Sequence, residues 1–204
     1  LMTNKCKCGI LISKTPYDKR YAIMEDGELA ELIVDGGNAV QVLGNIYKGV
    51  VKKVIAGKLA FVDIGLEADG VLLQEDAKDL NAPKGRRNHE EEAVVESIEK
   101  VLREGDSVMV QVSEEPTGKK GPGLTMHLNI AGSLLVCMPD SDIIRVSKRE
   151  KDVAKRSEIK RWINHNKGRD VGYIVRTEGV NASEAELTQQ MQDLESKWAS
   201  IKEK

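Results

Sequence analysis

The feature that most constrains the fold is a series of short apolar runs, each bounded by glycine, between residues 44 and 73. A β-branched run that ends at Gly57 consists of Val50, Val51, Val54 and Ile55; residues 59–64 form a second run that ends at Gly65, and residues 70–73 form a third. Short runs of this kind, punctuated by glycine, are typical of a small and strongly coiled sheet. Such a sheet, closed into a barrel, can hold single-stranded nucleic acid with bases stacked on an exposed ring and phosphates neutralised by lysines.

Composition limits how such a barrel could bind nucleic acid. The chain has 204 residues, enough for one large domain or two small ones, and a net charge of only −2. No general basic field attracts nucleic acid, so any contact must come from local patches. One Phe, four Tyr and two Trp exclude a broad stacking platform. No apolar run is long enough to span a bilayer, and no signal-peptide pattern is present. Three cysteines suit a reducing cytoplasm, where we expect the protein to be located.

The first part of the chain reads as strands. Residues 10–12, 20–24 and 29–34 are predicted strands, with Asp26-Gly27 as a hairpin turn. The barrel is predicted over residues 44–126. A polar insertion at residues 76–103 interrupts it, and the later part of this insertion reads as a helix with an apolar stripe at Val94, Ile98, Val101 and Leu102.

A smaller α+β unit is predicted after the barrel. Residues 133–138 and 173–175 read as strands, and residues 153–163 carry a helical apolar stripe. The last helix begins with a capping box, Ser183 and Glu186. Its apolar stripe consists of Leu187, Met191, Leu194, Trp198 and Ile201. The stripe favours packing on its own unit; a coiled-coil contact with another chain is the alternative.

Five collinear strings resemble, in order and spacing, the amino-terminal half of the bacterial ribonuclease E/G family. They are Asn45-Ile-Tyr-Lys-Gly49, Ala60-Phe-Val-Asp-Ile-Gly65, Val101-Leu-Arg-Glu-Gly105, Lys120-Gly121 and Ile174-Val-Arg-Thr177. The resemblance covers nearly the whole chain after about residue 10. It implies an α+β fold in which a five-stranded S1/OB-type β-barrel (residues 44–126) is inserted in a partial ribonuclease H-like segment (residues 1–43). A small α+β 5′-sensor subdomain (residues 127–204) follows.

The resemblance also implies a function. The family consists of Mg²⁺-dependent endoribonucleases that hydrolyse phosphodiesters in RNA processing and decay; a later nuclease-like domain holds the Mg²⁺ through aspartates, and a zinc link follows it. We expect this chain to be the RNA-binding and 5′-monophosphate-sensing portion, inactive by itself, with no catalytic residue or metal site and with Mg²⁺ and Zn²⁺ held outside it. A homo-oligomer is compatible with the full-length family protein. A stand-alone, non-catalytic S1-domain RNA-binding protein is the alternative, and an interaction protein acting through its last helix is a third.

Phe61 is the candidate base-stacking residue. It alternates with Val62 and Ile64, so it shares a face with Asp63. A phenylalanine usually belongs to the core, but Asp63 indicates a partly wet face, and the family places this ring against RNA. The second barrel aromatic of the family falls at Val71, which has no π-face, so weaker base binding is expected.

Lysines near the barrel are candidates for phosphate contact. Lys120, beside Gly121, matches a family position that helps to contact RNA. Lys48 and Lys52 could extend the track, although a solvated surface lysine is the simpler interpretation for each of them. Single-stranded RNA is therefore the expected partner.

Arg176 and Thr177 form the candidate 5′-phosphate site. In the resembled family this pair reads the 5′-monophosphate of RNA, assisted by backbone groups at positions that match Gly132 and Val136. Arginine presents a planar fork to a phosphate, and a glycine lets the chain approach an anion closely. An isolated Arg-Thr would be read as a surface arginine paired with Glu178. Lys148 stands where the family has an arginine, which removes a bidentate fork and predicts relaxed discrimination.

Overall fold

The computed structural model describes residues 8–15, 18–36, 41–78 and 95–203. The chain divides into two compact units, residues 1–42 and 43–204. The predicted domain bounds at residues 43 and 126 stay predictions. The strands and helices are β1 (Cys8–Lys14), β2 (Asp18–Glu25), β3 (Glu28–Gly36), β4 (Ile46–Ile55), β5 (Leu59–Asp63), β6 (Gly70–Leu73), β7 (Ser107–Glu114), β8 (Gly123–Thr125), β9 (Ile130–Ala131), β10 (Leu135–Pro139), β11 (Ile144–Val146), α1 (Val153–Asn166), β12 (Val171–Val175) and α2 (Glu184–Lys202).

The first unit contains a three-stranded antiparallel sheet in the order β1-β2-β3. Asp26 and Gly27 connect β2 to β3 with φ values of 51° and 89°, the left-handed pair that a tight hairpin requires, so the predicted turn is confirmed. Ile10 and Leu11, neighbours on β1, are 67% and 63% exposed. Since neighbours on a strand point to opposite faces, both faces of this sheet present apolar side chains. Its ribonuclease H-like assignment stays a prediction.

The second unit begins with a closed five-stranded barrel in the order β4-β5-β6-β8-β7. The pairing of β6 with β8 is parallel, and the other pairings are antiparallel. Val51, Val62, Leu72, Val110 and Leu124 fill the interior and are almost completely buried. The predicted α+β class with an S1/OB-type barrel is confirmed.

Gly70 permits the barrel to close. A Cβ at this position would lie 2.4 Å from Cδ1 of Leu124 on the neighbouring strand β8. A contact that short cannot exist between real side chains, so a larger residue would force Leu124 out of the barrel interior. The glycine at the start of the third apolar run thus has a packing reason.

The predicted helix in the insertion is wrong for the part that the structure describes. From residue 95 to the start of β7, regular helix is limited to a single 3-10 turn at Ile98–Lys100. Ile98 and Leu102 are buried, as the stripe predicted. However, the chain must then join the barrel edge, where the amide of Gly105 donates to the oxygen of Val51 at 2.8 Å. Val94 lies outside the described residues.

After the barrel, a four-stranded sheet has the order β11-β12-β10-β9, with β11 parallel to β12. Both helices contribute to one core on a single face of this sheet, which also contains Leu135, Cys137, Tyr173 and Val175. The α2 side chains Leu187, Met191, Leu194 and Trp198 are buried there. The prediction that the α2 stripe packs on its own unit is confirmed. None of the helices in the described ranges is both long and apolar enough to cross a membrane.

Gln111 joins the barrel to the four-stranded sheet. This buried side chain on β7 donates from Nε2 to the oxygens of Gly44 (2.8 Å) and Asn129 (2.9 Å), and its Oε1 accepts from the Asn129 amide at 2.8 Å. Ile46 and Met109 of the barrel pack against the core of the sheet. The barrel and the sheet therefore share both a polar and an apolar junction.

Candidate nucleic-acid interface

Phe61 lies on the outer side of the barrel. Along β5, Ala60 and Val62 point inward with no exposed area, whereas Phe61 and Asp63 are only partly buried. Phe61 stands in register with Lys53 on β4 and with Val71 on β6. The ring thus has a cationic neighbour on one side and an aliphatic neighbour on the other.

Asp63 holds Lys52 beside this face. Its carboxylate lies 3.0 Å from Nζ of Lys52 and accepts a hydrogen bond of 2.9 Å from the amide of Gly65. The hydrogen bond from the Gly65 amide lowers the pKa of Asp63, and Lys52 lowers it further. The Asp63 carboxylate in turn raises the pKa of Lys52. Lys52 therefore stays charged but is already paired, and a phosphate would have to compete with Asp63 for it.

Lys120 is anchored at the end of a tight turn. Two backbone hydrogen bonds join Thr117 and Lys120 at 3.0 and 3.1 Å. The next residue, Gly121, packs so tightly on the loop before β6 that a Cβ would lie 1.8 Å from the oxygen of Asp69. The glycine thereby brings the exposed Lys120 beside the loop that leads into Val71, the neighbour of Phe61.

Lys48 does not join this group. It is exposed on β4 in register with Met109 of β7. It lies five positions before Lys53, the partner of Phe61, which is a distance of roughly 17 Å along a strand. Of the predicted RNA-binding residues, the fold therefore gathers Phe61, Lys52 and Lys120 near β5 and β6, and places Lys48 at the far end of β4.

The predicted phosphate-binding residues meet at one edge of the four-stranded sheet. Because β11 and β12 are parallel and β10 is antiparallel to them, the ends of β11 and β12 lie beside the start of β10. Nη1 of Arg176 donates to the oxygen of Gly132 at 2.8 Å, and the hydroxyls of Thr177 and Ser147 lie 3.1 Å apart. Lys148, the next residue after Ser147, is exposed. Three segments distant in sequence thus bring their polar groups to one sheet edge; we call this group, a candidate for phosphate binding, the phosphate pocket.

Val136 borders this pocket on the face of the sheet that the helices leave open. Its neighbours Leu135 and Cys137 are buried in the core, so Val136 points to the opposite face, where it is partly exposed. It stands in register with Ala131 on β9 and Ile174 on β12. These side chains form an apolar row suited to contact with the body of a nucleotide.

Gln190 supports the pocket, and the sequence interpretation missed it. Its Oε1 accepts from the amides of Leu134 (2.7 Å) and Leu135 (2.6 Å), and its Nε2 donates to Oγ of Ser133 at 2.7 Å. The amide of Arg176 in turn donates to the oxygen of Leu134 at 2.8 Å. The loop that carries Gly132 is therefore fixed from α2 on one side and from β12 on the other.

A sequence signal for Gln190 exists. Position 190 falls three residues after Leu187 and four before Leu194, on the buried stripe of α2. A polar side chain on such a stripe requires hydrogen-bond partners, because burial without them is costly. Gly132 packs directly against the side chain of Gln190, since a Cβ at position 132 would lie 2.7 Å from Oε1 of Gln190.

Tyr173 and Cys137 are polar side chains buried in the core of the four-stranded sheet. The hydroxyl of Tyr173 donates to Oε1 of Glu195 at 2.7 Å. Burial, with a smaller effect of Glu195, raises the pKa of the nearby Cys137 thiol to about 12. A thiol with that pKa stays protonated near neutrality and is a poor nucleophile. No group of three metal-ligating side chains occurs among the residues that the structure describes.

Comparison with known proteins gives consistent matches. A model of the Ribonuclease E/G family matches residues 129–204. The chain is 34% identical over 196 residues to ribonuclease G of Haemophilus influenzae, covering 96% of this chain and 40% of that protein. It is 31% identical to ribonuclease G of Escherichia coli K12 with the same coverage, and 34% identical to ribonuclease E of Haemophilus influenzae, covering 95% of this chain and 21% of that protein. The chain spans about two-fifths of the length of the ribonuclease G relatives that it matches.

Proposed function

Because the chain belongs to the ribonuclease E/G family, we propose that it binds single-stranded RNA and recognises a 5′-monophosphate on behalf of a larger endoribonuclease. The observation that carries the proposal is the convergence of Arg176, Thr177, Gly132 and Lys148 at one sheet edge. In this role the chain would couple the state of an RNA 5′ end to cleavage in RNA processing and decay.

The phosphate pocket offers donors of three kinds. The guanidinium of Arg176 is oriented by one bond to Gly132 and has further N–H groups for a phosphate. The hydroxyl of Thr177 and the ammonium of Lys148 add a neutral and a charged donor. Hydrogen bonds between charged partners are roughly twice as strong as neutral ones, so a terminal dianion would bind more tightly than a 5′-hydroxyl. Lys148 lacks an arginine fork, so the preference should be moderate.

The barrel would hold the strand further along. A base stacked on Phe61 contributes about 1–3 kcal/mol, and the absence of a ring at Val71 limits the barrel to this one stacking position between β5 and β6. Lys120 and Lys52 would contact phosphates beside it. Hydrolysis would require the Mg²⁺-binding region of the full-length family protein, where Zn²⁺ would also be held; a homo-oligomeric full-length protein fits the same proposal.

The test compares two RNAs that differ only in their 5′ end. Binding of a fluorescent 15-nucleotide single strand with a 5′-monophosphate is measured beside the same strand with a 5′-hydroxyl. We expect tighter binding of the monophosphate, and we expect Arg176→Ala to remove the difference while the affinity for the hydroxyl RNA stays. Arg103→Ala, at an exposed arginine in the turn before β7, is the matched control. Equal affinity of the unmodified chain for both RNAs would refute 5′-phosphate recognition.

A second variant tests the barrel part of the proposal. Phe61→Ala should weaken binding of both RNAs by about 5- to 150-fold, the equivalent of 1–3 kcal/mol. Since Phe61 lies outside the barrel interior, the variant should fold normally, which a thermal unfolding curve verifies. Unchanged affinity would remove Phe61 from the RNA-binding surface, and absence of RNA binding by the unmodified chain would refute the proposal as a whole.

A further inference from the structure

Positive charge is concentrated in residues 145–169, which we call the basic segment. This segment contains ten of the 31 Lys and Arg residues of the chain but only three of the 33 Asp and Glu residues. It therefore carries an excess of seven positive charges in a chain whose net charge is −2. Like charges at this density repel one another, so the segment favours binding of a polyanion.

The basic segment begins at the phosphate pocket. It consists of β11, the loop to α1, α1 itself and the connection to β12. Lys148 follows Ser147, whose hydroxyl contacts Thr177. Nζ of Lys155 in the first turn of α1 donates to Oδ1 of Asn181, just after the Arg176-Thr177 pair, at 2.7 Å. The start of α1 is thereby held at the same sheet edge as the pocket.

Much of this charge faces solvent. Exposed basic side chains of the segment are Arg145, Lys148, Arg149, Lys151, Arg161 and Arg169. Two of the three acidic side chains serve the segment itself: Glu150 pairs with Lys155 at 3.5 Å, and Asp152 caps α1 by accepting from the Ala154 amide at 2.9 Å. These two carboxylates therefore act locally; the third, Glu158, is exposed on α1 and leaves an excess of exposed positive charge.

Arg145 extends the positive surface to the face of the sheet without helices. On β11 it stands in register with Ile174, which is in register with Val136 at the pocket. The basic segment thus surrounds the outer edge of the sheet, with Arg145 on one face, α1 on the other and Lys148 to Lys151 at the pocket end. Helix α1 has 14 residues and is about 21 Å long, enough to run beside several nucleotides.

We propose that the basic segment is a second RNA-binding surface, which contacts backbone phosphates of the nucleotides next to the 5′ end, independently of the barrel. The proposal rests on the proposed function in one respect, because it takes RNA as the ligand. RNA is favoured over an acidic protein because the positive surface is continuous with the phosphate pocket. Phosphate contacts of this kind carry no sequence information, so the surface should increase affinity for every sequence equally.

Neutralising exposed charges of the basic segment that are not among the residues of the phosphate pocket tests this proposal. The variant combines Arg149→Gln, Lys151→Gln, Arg161→Gln and Arg169→Gln, and it keeps Lys148. Binding of the 15-nucleotide RNA is measured from 50 to 300 mM salt. Each lost phosphate contact lowers the slope of log affinity against log salt by about 0.7, so the slope should fall by roughly 2 to 3. The ratio of affinities for 5′-monophosphate and 5′-hydroxyl RNA should not change.

A matched control removes the same charge elsewhere. Lys14→Gln, Lys58→Gln, Arg103→Gln and Lys197→Gln neutralise four exposed residues outside the basic segment. The control should keep the slope of the unmodified chain. An equal slope in both variants would overturn the proposal and would leave the segment to an acidic protein partner. A reduced slope together with no 5′-end preference in any variant would refute 5′-phosphate recognition but support this surface.

Discussion

At the scale of single residues, Gln190 connects helix α2 to the loop that carries Gly132. Its amide group satisfies two consecutive backbone N–H groups and one hydroxyl, at 2.6 to 2.7 Å. The backbone amide and the guanidinium of Arg176 both donate hydrogen bonds to oxygens of this loop. The position of the loop therefore decides where the guanidinium lies. Gln190 is a positioning residue for the pocket.

Gln190→Met tests this role. Methionine has nearly the same length but accepts hydrogen bonds only weakly, so the amides of Leu134 and Leu135 would lose their acceptor at a cost of about 1–3 kcal/mol. Hydrogen exchange at these two amides should accelerate, and the preference for 5′-monophosphate RNA should fall while 5′-hydroxyl RNA binds as before. Gln189→Met, at an exposed neighbour that bonds to Asp193, is the control. Unchanged exchange and unchanged preference would show that the loop holds its shape without Gln190.

Asp63→Asn tests the competition for Lys52. Removing the carboxylate releases Lys52 and removes a negative charge beside Phe61. We expect tighter binding of single-stranded RNA and a salt slope larger by up to about 0.7, measured by titration of the fluorescent 15-nucleotide RNA at several salt concentrations. Glu67→Gln, at an exposed carboxylate in the following loop, controls for the charge change. Weaker binding by Asp63→Asn would mean that the carboxylate orients Lys52 for RNA and does not occupy it.

At the scale of elements, the first turn of α2 is stabilised by a reciprocal cap. Oγ of Ser183 accepts from the amide of Glu186 at 3.3 Å, and the Glu186 carboxylate accepts from the amide of Ser183 at 2.8 Å. The bonds from the Ser183 hydroxyl and amide lower the pKa of Glu186. The stabilisation from this carboxylate is therefore complete above its unfolded-state pKa and is lost as pH falls through the lower folded-state pKa.

Ser183→Ala should destabilise the protein by about 0.5–2 kcal/mol at pH 7, measured by urea unfolding. The difference from the unmodified chain should narrow in acid, because protonated Glu186 no longer receives the charge-assisted bond. Ser196→Ala, at an exposed position later in α2, should change stability little. A difference that is constant from pH 7 to pH 3 would show that the Glu186 half of the cap contributes nothing.

At the scale of the whole molecule, Gln111 makes a polar contact between the barrel and the four-stranded sheet. It satisfies the amide and oxygen of Asn129 and the oxygen of Gly44 from a buried position. This side chain, together with the apolar contacts of Ile46 and Met109, connects the two parts of residues 43–204.

Gln111→Met should lower the free energy of unfolding by about 1.5–4.5 kcal/mol, since it removes three hydrogen bonds of a buried side chain, each contributing about 0.5–1.5 kcal/mol. Chemical denaturation measures the change. Gln74→Met is the comparison, because the buried Oε1 of Gln74 has no hydrogen-bond partner in the structure and its removal should cost less. Equal losses in both variants would show that the Gln111 hydrogen bonds are not what joins the two parts.

Predictability from sequence differed between local and distant features. The hairpin at Asp26-Gly27 and the cap at Ser183 were predictable, since each depends on backbone geometry within a few residues. The helix expected near Ile98 does not form, because the same apolar spacing also fits a single 3-10 turn. A few residues after this turn, the chain hydrogen-bonds to β4. Periodicity gives the buried positions but not the length of the element.

The candidate site shows the same division. The alternation along β5 predicted that Phe61 and Asp63 share a face apart from Val62, and the resemblance singled out Arg176 and Gly132 in advance. The role of each in RNA binding stays a prediction. The bond from Arg176 to Gly132, the pairing of Lys52 with Asp63 and the support from Gln190 required coordinates, because no local pattern relates residues so far apart.

The amino-acid sequence by itself determined which segments become strands of a coiled barrel, where the turns and caps lie, and which faces are apolar. These properties follow from side-chain alternation, glycine conformation and hydrogen bonding between near neighbours. Tertiary structure alone decided which strand ends meet, and so brought the β9–β10 loop, the end of β11 and the end of β12 together. Parallel and antiparallel pairing set that edge, and pairing between distant strands depends on the packing of the whole core.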